Sequence, residues 1–331
     1  MSSIVVIATG GTIASRSDAR GAKVAGGSGT ELLTGVVLPP GSRVEVRDVL
    51  SRNSAALTLA DLDRLRTAVG SALDSGADAV VVTHGTDTTE ETAMLLDLVH
   101  DDPRPVVLTG AQRAADDPAP DGPANLRDAL LVAAHPGARG LGVLVVFDGE
   151  VFAARGTRKV HTLASAAFAD PDSGPLGRVV LGELALLRRP DRPAALRDVG
   201  PLPRVDIVAL YPGADAAALD AHVAAGTAGL VLEAPGLGNS NPVVAAAVRR
   251  HVLAGTVVVL STRVAAGPVR AVYGGGGGGR DLVAAGAVLA GWLRPAQARI
   301  QLTALLASGA GPDLIRSTFE DPPFREALTY G

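Results

Sequence analysis

Cysteine is absent from the 331-residue chain, lysine occurs only at Lys23 and Lys159, and aromatic side chains make up just 3% of the total. The lack of cysteine excludes disulfides and thiolate-bound metals, and it fits a cytoplasmic chain. With 47% apolar residues but so few rings, any core must be built from Ala, Val and Leu. No apolar run reaches the ~18 residues that a membrane span needs, and no charged and apolar leader precedes the first strand-like segment. The net charge of −4 leaves no basic footprint for nucleic acid. The six histidines lack ligand spacing and paired carboxylates, so no metal is expected. No nucleophile elbow, phosphate-binding loop or complete dinucleotide fingerprint occurs either, and no cofactor is implied.

What is present begins with Ile4–Ala14, IVVIATGGTIA. Four aliphatic residues have the composition of a strand buried on both faces. Two glycines then permit a sharp turn and a close backbone approach, leaving the Thr12 hydroxyl just past the strand. In an open parallel sheet this is where ligands bind. Ala79–Thr92, AVVVTHGTDTTEET, repeats the design with Thr86 and Asp87 beyond the strand. His84 beside them reads as a buried brace for the turn.

Along the chain, strands are expected at 44–50, 79–83, 105–110 and 143–147, and helices at 58–75 and 122–134. Thr58 and Thr88 each open a capping-box pattern. Residues 15–30, rich in Gly, Ser, Ala and Arg, read as a long mobile loop of functional importance. Short runs at 151–153 and 179–187 suggest a hairpin, and prolines at 190, 193, 201 and 203 mark a linker. Further strands at 205–210, 229–232 and 257–261 alternate with helices at 215–225 and 242–253. Gly274–Gly279 is flexible by composition, and a last helix covers 295–307. The expected architecture is α/β. A larger, mostly parallel doubly wound domain with a hairpin extension covers 1–188, followed by a linker (189–204) and a smaller α/β domain (205–331).

Two hydroxyls, one carboxylate and a rare lysine remain for chemistry. A hydroxyl needs a base to become a nucleophile. Among 30 basic residues the chain keeps lysine at only two positions, and lysine, unlike arginine, can give up its proton when desolvated. Lys159 is therefore a candidate base, held by Asp87.

TGGTIA at 9–14 and THGTDTTEET at 83–92 resemble the two signatures of the bacterial L-asparaginase family, and the order of elements is similar over nearly the whole chain. The resemblance implies hydrolysis of the side-chain amide of L-asparagine by a homotetramer built as a dimer of dimers. It implies Thr12 as nucleophile on the Gly11 turn, and Thr86, Asp87 and Lys159 as a supporting triad. Ser54 matches the serine that holds the substrate carboxylate, and Ala55 follows it on the amino-group side of the pocket. Ala111 matches a backbone contact to the leaving amide, and Asn241 an asparagine reaching the neighbouring subunit's site. An asparaginase-like subunit of a tRNA-dependent amidotransferase, and an amino-acid-binding homologue without turnover, are the alternatives. Three departures stand out: no tyrosine lies in 15–30, Ala55 replaces a frequent glutamine, and Gly274–Gly279 offers no acidic residue. They imply loose substrate binding and discrimination against glutamine.

Overall fold

The computed structural model of the chain describes residues 2–17, 20, 23–25 and 29–320. The chain divides into two compact units, Met1–Ala195 and Leu196–Gly331.

The first unit starts with β1 (Ser2–Ala8), followed by a small antiparallel pair, β2 (Ser15–Ser17) with β3 (Lys23–Ala25), and by α1 (Gly29–Leu32). The stretch expected as a loop thus carries a short hairpin and a helical turn; its Asp18 lies outside the described residues. Next come β4 (Ser42–Asp48), α2 (Leu59–Asp74), β5 (Ala79–Thr83), α3 (Thr89–Val99), β6 (Val106–Thr109), α4 (Gly122–Ala134) and β7 (Val143–Phe147). Strands β4, β1, β5, β6 and β7 lie side by side in that order, all parallel. The expected doubly wound sheet is what the structure shows. Because the chain steps from β1 outward to β4 and then back across to β5, the winding reverses between β1 and β5. The loops leaving these two strands flank the crevice where such sheets bind ligands.

The near-continuous apolar strands follow from burial on both faces. Ile4, Val6, Val81 and Val107 turn toward Leu126, Ala129 and Leu130 of α4. Their alternates Val5, Ile7, Val80 and Val82 turn toward Leu65 and Val69 of α2 and toward Ala93 and Leu96 of α3. The Thr58 capping box forms as expected: Asp61 N–H donates to the Thr58 hydroxyl at 3.2 Å, and Thr58 N–H donates to the Asp61 carboxylate at 2.9 Å. The Thr88 box does not form. Its hydroxyl donates instead to the Ser54 carbonyl at 3.0 Å.

Beyond β7 the sheet turns antiparallel through β8 (Glu150–Ala153), β11 (Gly177–Val180) and β12 (Glu183–Leu186). Between them, β9 (Arg158–Lys159) pairs with β10 (Phe168–Ala169). The run expected as one strand at 179–187 is broken by a tight turn, with Leu181 and Gly182 at φ 51° and 80°. Two successive left-handed residues make the turn type whose twist suits a two-residue hairpin. Leucine is an unusual occupant, so the turn carried no Asn-Gly signature.

The second unit holds the parallel strands β13 (Val205–Ala209), β14 (Gly229–Ala234), β15 (Val257–Thr262) and β16 (Val288–Leu289). Helices α5 (Ala217–Ala224), α6 (Pro242–Leu253), α7 (Gly279–Ala284), α8 (Pro295–Ala307) and α9 (Pro312–Glu320) alternate with or follow them. The glycine run between β15 and α7 is not uniformly loose. Gly277–Gly279 are buried, and a Cβ on Gly277 would fall 2.7 Å from the Asn241 nitrogen. Among the described residues no helix is long and apolar enough to cross a membrane.

One ion pair locks the first unit at the foot of β6. Arg104 donates to both Asp102 carboxylate oxygens, and its other terminal nitrogen donates to the carbonyls of Leu73 and Ala77 at 2.8 Å each. The Arg104 side-chain bonds hold the Asp102 carboxyl down at about 2. Its folded value lies below the unfolded one, so the stabilisation is complete above about pH 4 and is lost as the pH falls toward 2. Asp102→Asn is expected to cost about 1–2 kcal/mol at neutral pH, solvent screening included, and nothing measurable near pH 2. Urea unfolding of both proteins across that range checks it.

Candidate active site

The site is assembled from loops at the carboxyl ends of β1, β5 and β6. After β1, Thr9 bonds β5 twice, its N–H and its hydroxyl both donating to the Thr83 carbonyl at 3.2 and 2.8 Å. Gly10 and Gly11 follow at φ 96° and 81°, a conformation that side chains with a Cβ rarely adopt. They deliver Thr12 into a single 3-10 turn, Thr12–Ala14, where the residue is part-buried. Gly11 N–H donates to the Arg52 carbonyl at 3.1 Å, and Arg52 N–H returns a bond to Thr9 of the same length. A Cβ placed on Gly11 would sit 2.5 Å from the Gly85 Cα. The two motif loops therefore meet backbone to backbone at the residues that immediately precede Thr12 and Thr86.

Gly85 serves a second close approach, since a Cβ there would stand 2.7 Å from the Ser54 hydroxyl oxygen. Ser54 is buried and opens a 3-10 turn, Ser54–Ala56, while Ala55 next to it is exposed. Asp61 steadies this segment by accepting from Arg52 at 3.1 Å. After β6, Ala111 is fully buried, and the backbone of its loop is pinned by Asp121, which accepts from the N–H groups of Gln112 and Arg113 at 3.0 and 2.8 Å.

Lys159 joins these parts. Its ammonium donates to the Thr86 hydroxyl and to the Asp87 carboxylate, each at 2.8 Å. The Lys159 side chain is 18% exposed and that of Asp87 61%, so the pair sits at the mouth of the crevice with the cation on the inner side. The Lys159 main-chain N–H donates to Glu90 at 2.8 Å.

Gln112 had no part in the sequence reading. Its amide nitrogen faces the carbonyls of His161, Thr162 and Ala164 at 3.4, 3.2 and 3.3 Å. With the amide so oriented, its oxygen turns to Thr86, whose hydroxyl donates to it at 3.0 Å. The single Thr86 proton is thereby directed to Gln112, and the Thr86 oxygen accepts from Lys159. One glutamine in a loop gives no signal by itself, because the partners of its amide nitrogen lie about fifty residues downstream.

His84 is fully buried, and desolvation lowers its pKa to about 4, so the ring is neutral at physiological pH. Its Nδ1 donates to the Gly85 carbonyl at 2.8 Å, and Nε2 lies 3.0 Å from the Thr92 hydroxyl. It is a brace beneath the site, as read from the sequence. Arg16 of the expected loop pairs with Glu31 at 3.1 Å. Asn241 lies in the second unit and caps α6. Its Oδ1 accepts from the N–H groups of Val243 and Val244 at 3.0 and 3.1 Å, and its Nδ2 donates to the Ala214 carbonyl at 2.7 Å. The structure thus brings together Thr12, Ser54, Thr86, Asp87, Ala111 and Lys159 within the first unit.

Comparisons to known proteins identify the family. The Asparaginase, N-terminal family model matches residues 3–192, and that of the Glutaminase/Asparaginase C-terminal domain matches residues 204–319. The chain belongs to the asparaginase family. It is 40% identical to a probable L-asparaginase of Deinococcus radiodurans over 97% of this chain and 98% of that one. It is 36% identical to an L-asparaginase of Bacillus licheniformis over 92% and 95% of the two chains. The crystal structure of a probable cytoplasmic L-asparaginase from Campylobacter jejuni superposes with a TM-score of 0.87 at 29% identity, covering 97% of this chain and all of that one.

The backbone contact between the motif loops makes a specific demand on residue 11. Gly11→Ala is expected to cost at least about 2 kcal/mol, because the added methyl meets backbone at a positive φ. Gly70→Ala, in α2 with nothing within 4 Å of the added carbon, is expected to gain about 0.5–1 kcal/mol. Paired urea denaturation of the two variants tests the contrast.

Proposed function

We propose that this member of the asparaginase family is an L-asparaginase that converts L-asparagine and water to L-aspartate and ammonia through an acyl-enzyme on Thr12. The observation that carries the reading is the Lys159 ammonium, held 2.8 Å from both the Thr86 hydroxyl and the Asp87 carboxylate, on the loop that abuts the Gly11 turn. That grouping supplies an acceptor for a proton, a way of holding it and a neighbouring hydroxyl. These are what a hydroxyl nucleophile requires.

In this mechanism the Thr12 oxygen attacks the side-chain carbonyl carbon of the substrate. With Lys159 uncharged, its nitrogen is an acceptor and the Thr86 hydroxyl turns its hydrogen from Gln112 toward it; the Thr12 proton then passes to Lys159 by way of Thr86 and is returned to the amide nitrogen. The carbon–nitrogen bond breaks, ammonia leaves, and an ester joins Thr12 to the aspartyl group. Water then adds to the ester carbonyl, and collapse frees aspartate and restores the Thr12 hydroxyl. Ser54 borders the place of the substrate carboxylate, Ala55 and Asp87 that of its ammonium, from which Asp87 accepts, and the Gly11 and Ala111 backbones flank the reacting amide. The active assembly in this proposal is a homotetramer made of two dimers. With Oδ1 taken by the α6 cap, Asn241 would bring a neighbouring subunit an amide hydrogen rather than an acceptor. The cysteine-free composition supports a cytoplasmic location.

Two substitutions test the assignment directly. Thr12→Ala is expected to remain folded and to lose at least about three orders of magnitude in kcat for asparagine. Lys159→Arg keeps the charge but has no accessible neutral form, so its kcat is expected to stay at least about tenfold low across the pH range. Ammonia release by purified protein measures both. Near-parental rates in the first variant would remove Thr12 as nucleophile, and in the second would leave Lys159 a structural ion-pair partner.

The amino-group side of the pocket sets a further expectation. Ala55 has no amide to offer and the 274–279 run has no carboxylate. Each missing charge-assisted hydrogen bond is worth about 1.5–3 kcal/mol, or roughly one to two orders of magnitude in binding. The Michaelis constant for asparagine is expected to lie above the micromolar range, with glutamine at least about tenfold less efficient. Steady-state kinetics on the two amides decides the matter.

A further inference from the structure

The bonds around Lys159 hold it at two ends. Its side chain is gripped by Thr86 and Asp87, whereas its main-chain nitrogen is gripped by Glu90, one helical turn further along the same segment. The 86–90 stretch thus closes on this single residue of β9 like a clamp, and Glu90 is the jaw that fixes the backbone. β9 is two residues long and, among the described residues, β10 is its strand partner, while Arg158 beside Lys159 lies 3.8 Å from Asp172. Glu90 lies in the first turn of α3 and is half-buried.

We propose that Glu90 is a positioning residue of this site, holding the Lys159 main-chain nitrogen so that the ammonium stands between Thr86 and Asp87. The inference rests on the amidohydrolase reading and adds a group that touches neither substrate nor the reacting atoms.

The surroundings of Glu90 give this contact a pH dependence. Burial raises its carboxyl to about 7, with Glu91 beside it acting in the same sense. The bond from Lys159 and the Arg158 guanidinium on β9 act the other way but are outweighed. Asp87 precedes it on the same segment. Of the other elements packed on α3, β7 is Val-Leu-Val-Val-Phe and brings no charge, and α2 carries Asp63 and Arg66 paired at 3.0 Å. His84 below is neutral. A carboxyl whose folded value exceeds its unfolded one favours the folded state at low pH, and that contribution is withdrawn as the pH rises through about 7. Ionisation strengthens the acceptor while placing an anion beneath the Lys159 backbone.

The test uses the full-length protein and its two lysines. With lysine labelled at Cε with carbon-13, the Lys159 signal is assigned by its loss in Lys159→Arg. It is then followed from roughly pH 5 to 9 in the parent, Glu90→Gln and Glu90→Ala. In the parent the signal is expected to show an inflection near pH 7 that reports Glu90. Glu90→Gln keeps an acceptor in the same place and is expected to lack that inflection. Glu90→Ala is expected to shift the signal at every pH and to lower kcat for asparagine by about tenfold or more, with KM changed less than about threefold. Glu90→Gln should recover most of that loss. If Glu90→Ala fails to fold, the Glu90→Gln titration alone decides. A Lys159 signal identical in all three proteins, or a parental kcat in folded Glu90→Ala, would overturn the proposal. A parent that hydrolyses no amide would sink the amidohydrolase reading, while the lysine titration would still report on the clamp.

Discussion

The contact between Gly11 and Gly85 is the constraint on which the rest of the first unit turns. A parallel sheet keeps adjacent strands nearly 5 Å apart, and loops leaving neighbouring strands with ordinary side chains would splay further. Removing the Cβ on both sides lets the two backbones touch. Two short polar motifs, 74 residues apart in the chain, then become one surface. The sheet supplies rigidity from below through aliphatic strands buried on both faces. The glycines supply the proximity, and the reversal of winding between β1 and β5 supplies an open crevice above. Remove any of the three and Thr12 and Thr86 belong to separate loops.

On that surface, polarity is arranged by direction as much as by charge. Gln112 is anchored through its nitrogen, so only its oxygen can meet Thr86. Thr86 must then give its one proton away from Lys159 and offer a lone pair toward it. The result is an ordered relay, ammonium to hydroxyl to amide to carbonyl, in which each donor has an acceptor. His84, kept neutral by burial, supports the turn beneath without adding charge to it. A site built this way needs few ionised groups, which suits a chain in which lysine is nearly absent.

Much of this was legible beforehand because it is local. The β-branched runs of β1 and β5, the cap of α2 and the alternation of strand and helix are encoded within a few residues. So are the glycines that place Thr12. What escaped is set at long range. Thr88 has the sequence of a cap, yet its hydroxyl serves Ser54, thirty-four positions earlier. The turn at Leu181–Gly182 is hidden because leucine occupies a position where asparagine would announce it. Gln112 and Glu90 are ordinary polar residues until β9 and the segment after it fold across them. The hairpin within 15–30 has no alternating pattern to betray it.

The glycine run of the second unit shows how identical letters can carry opposite constraints. Gly274 has open space where a side chain would go and no positive φ, whereas Gly277 has the Asn241 backbone in that place. Drift can rewrite one end of the run freely and is barred from the other. A repeat that looks like slippage in copying is, at Gly277, a mould around the start of α6, and at Gly278 and Gly279 it is packed against the backbone of Tyr273, Arg270 and Ala271. Its length is therefore set by shape: inserting one more glycine would move the buried members out of register with Asn241, and the helix would lose its footing without a single charged or apolar residue having changed.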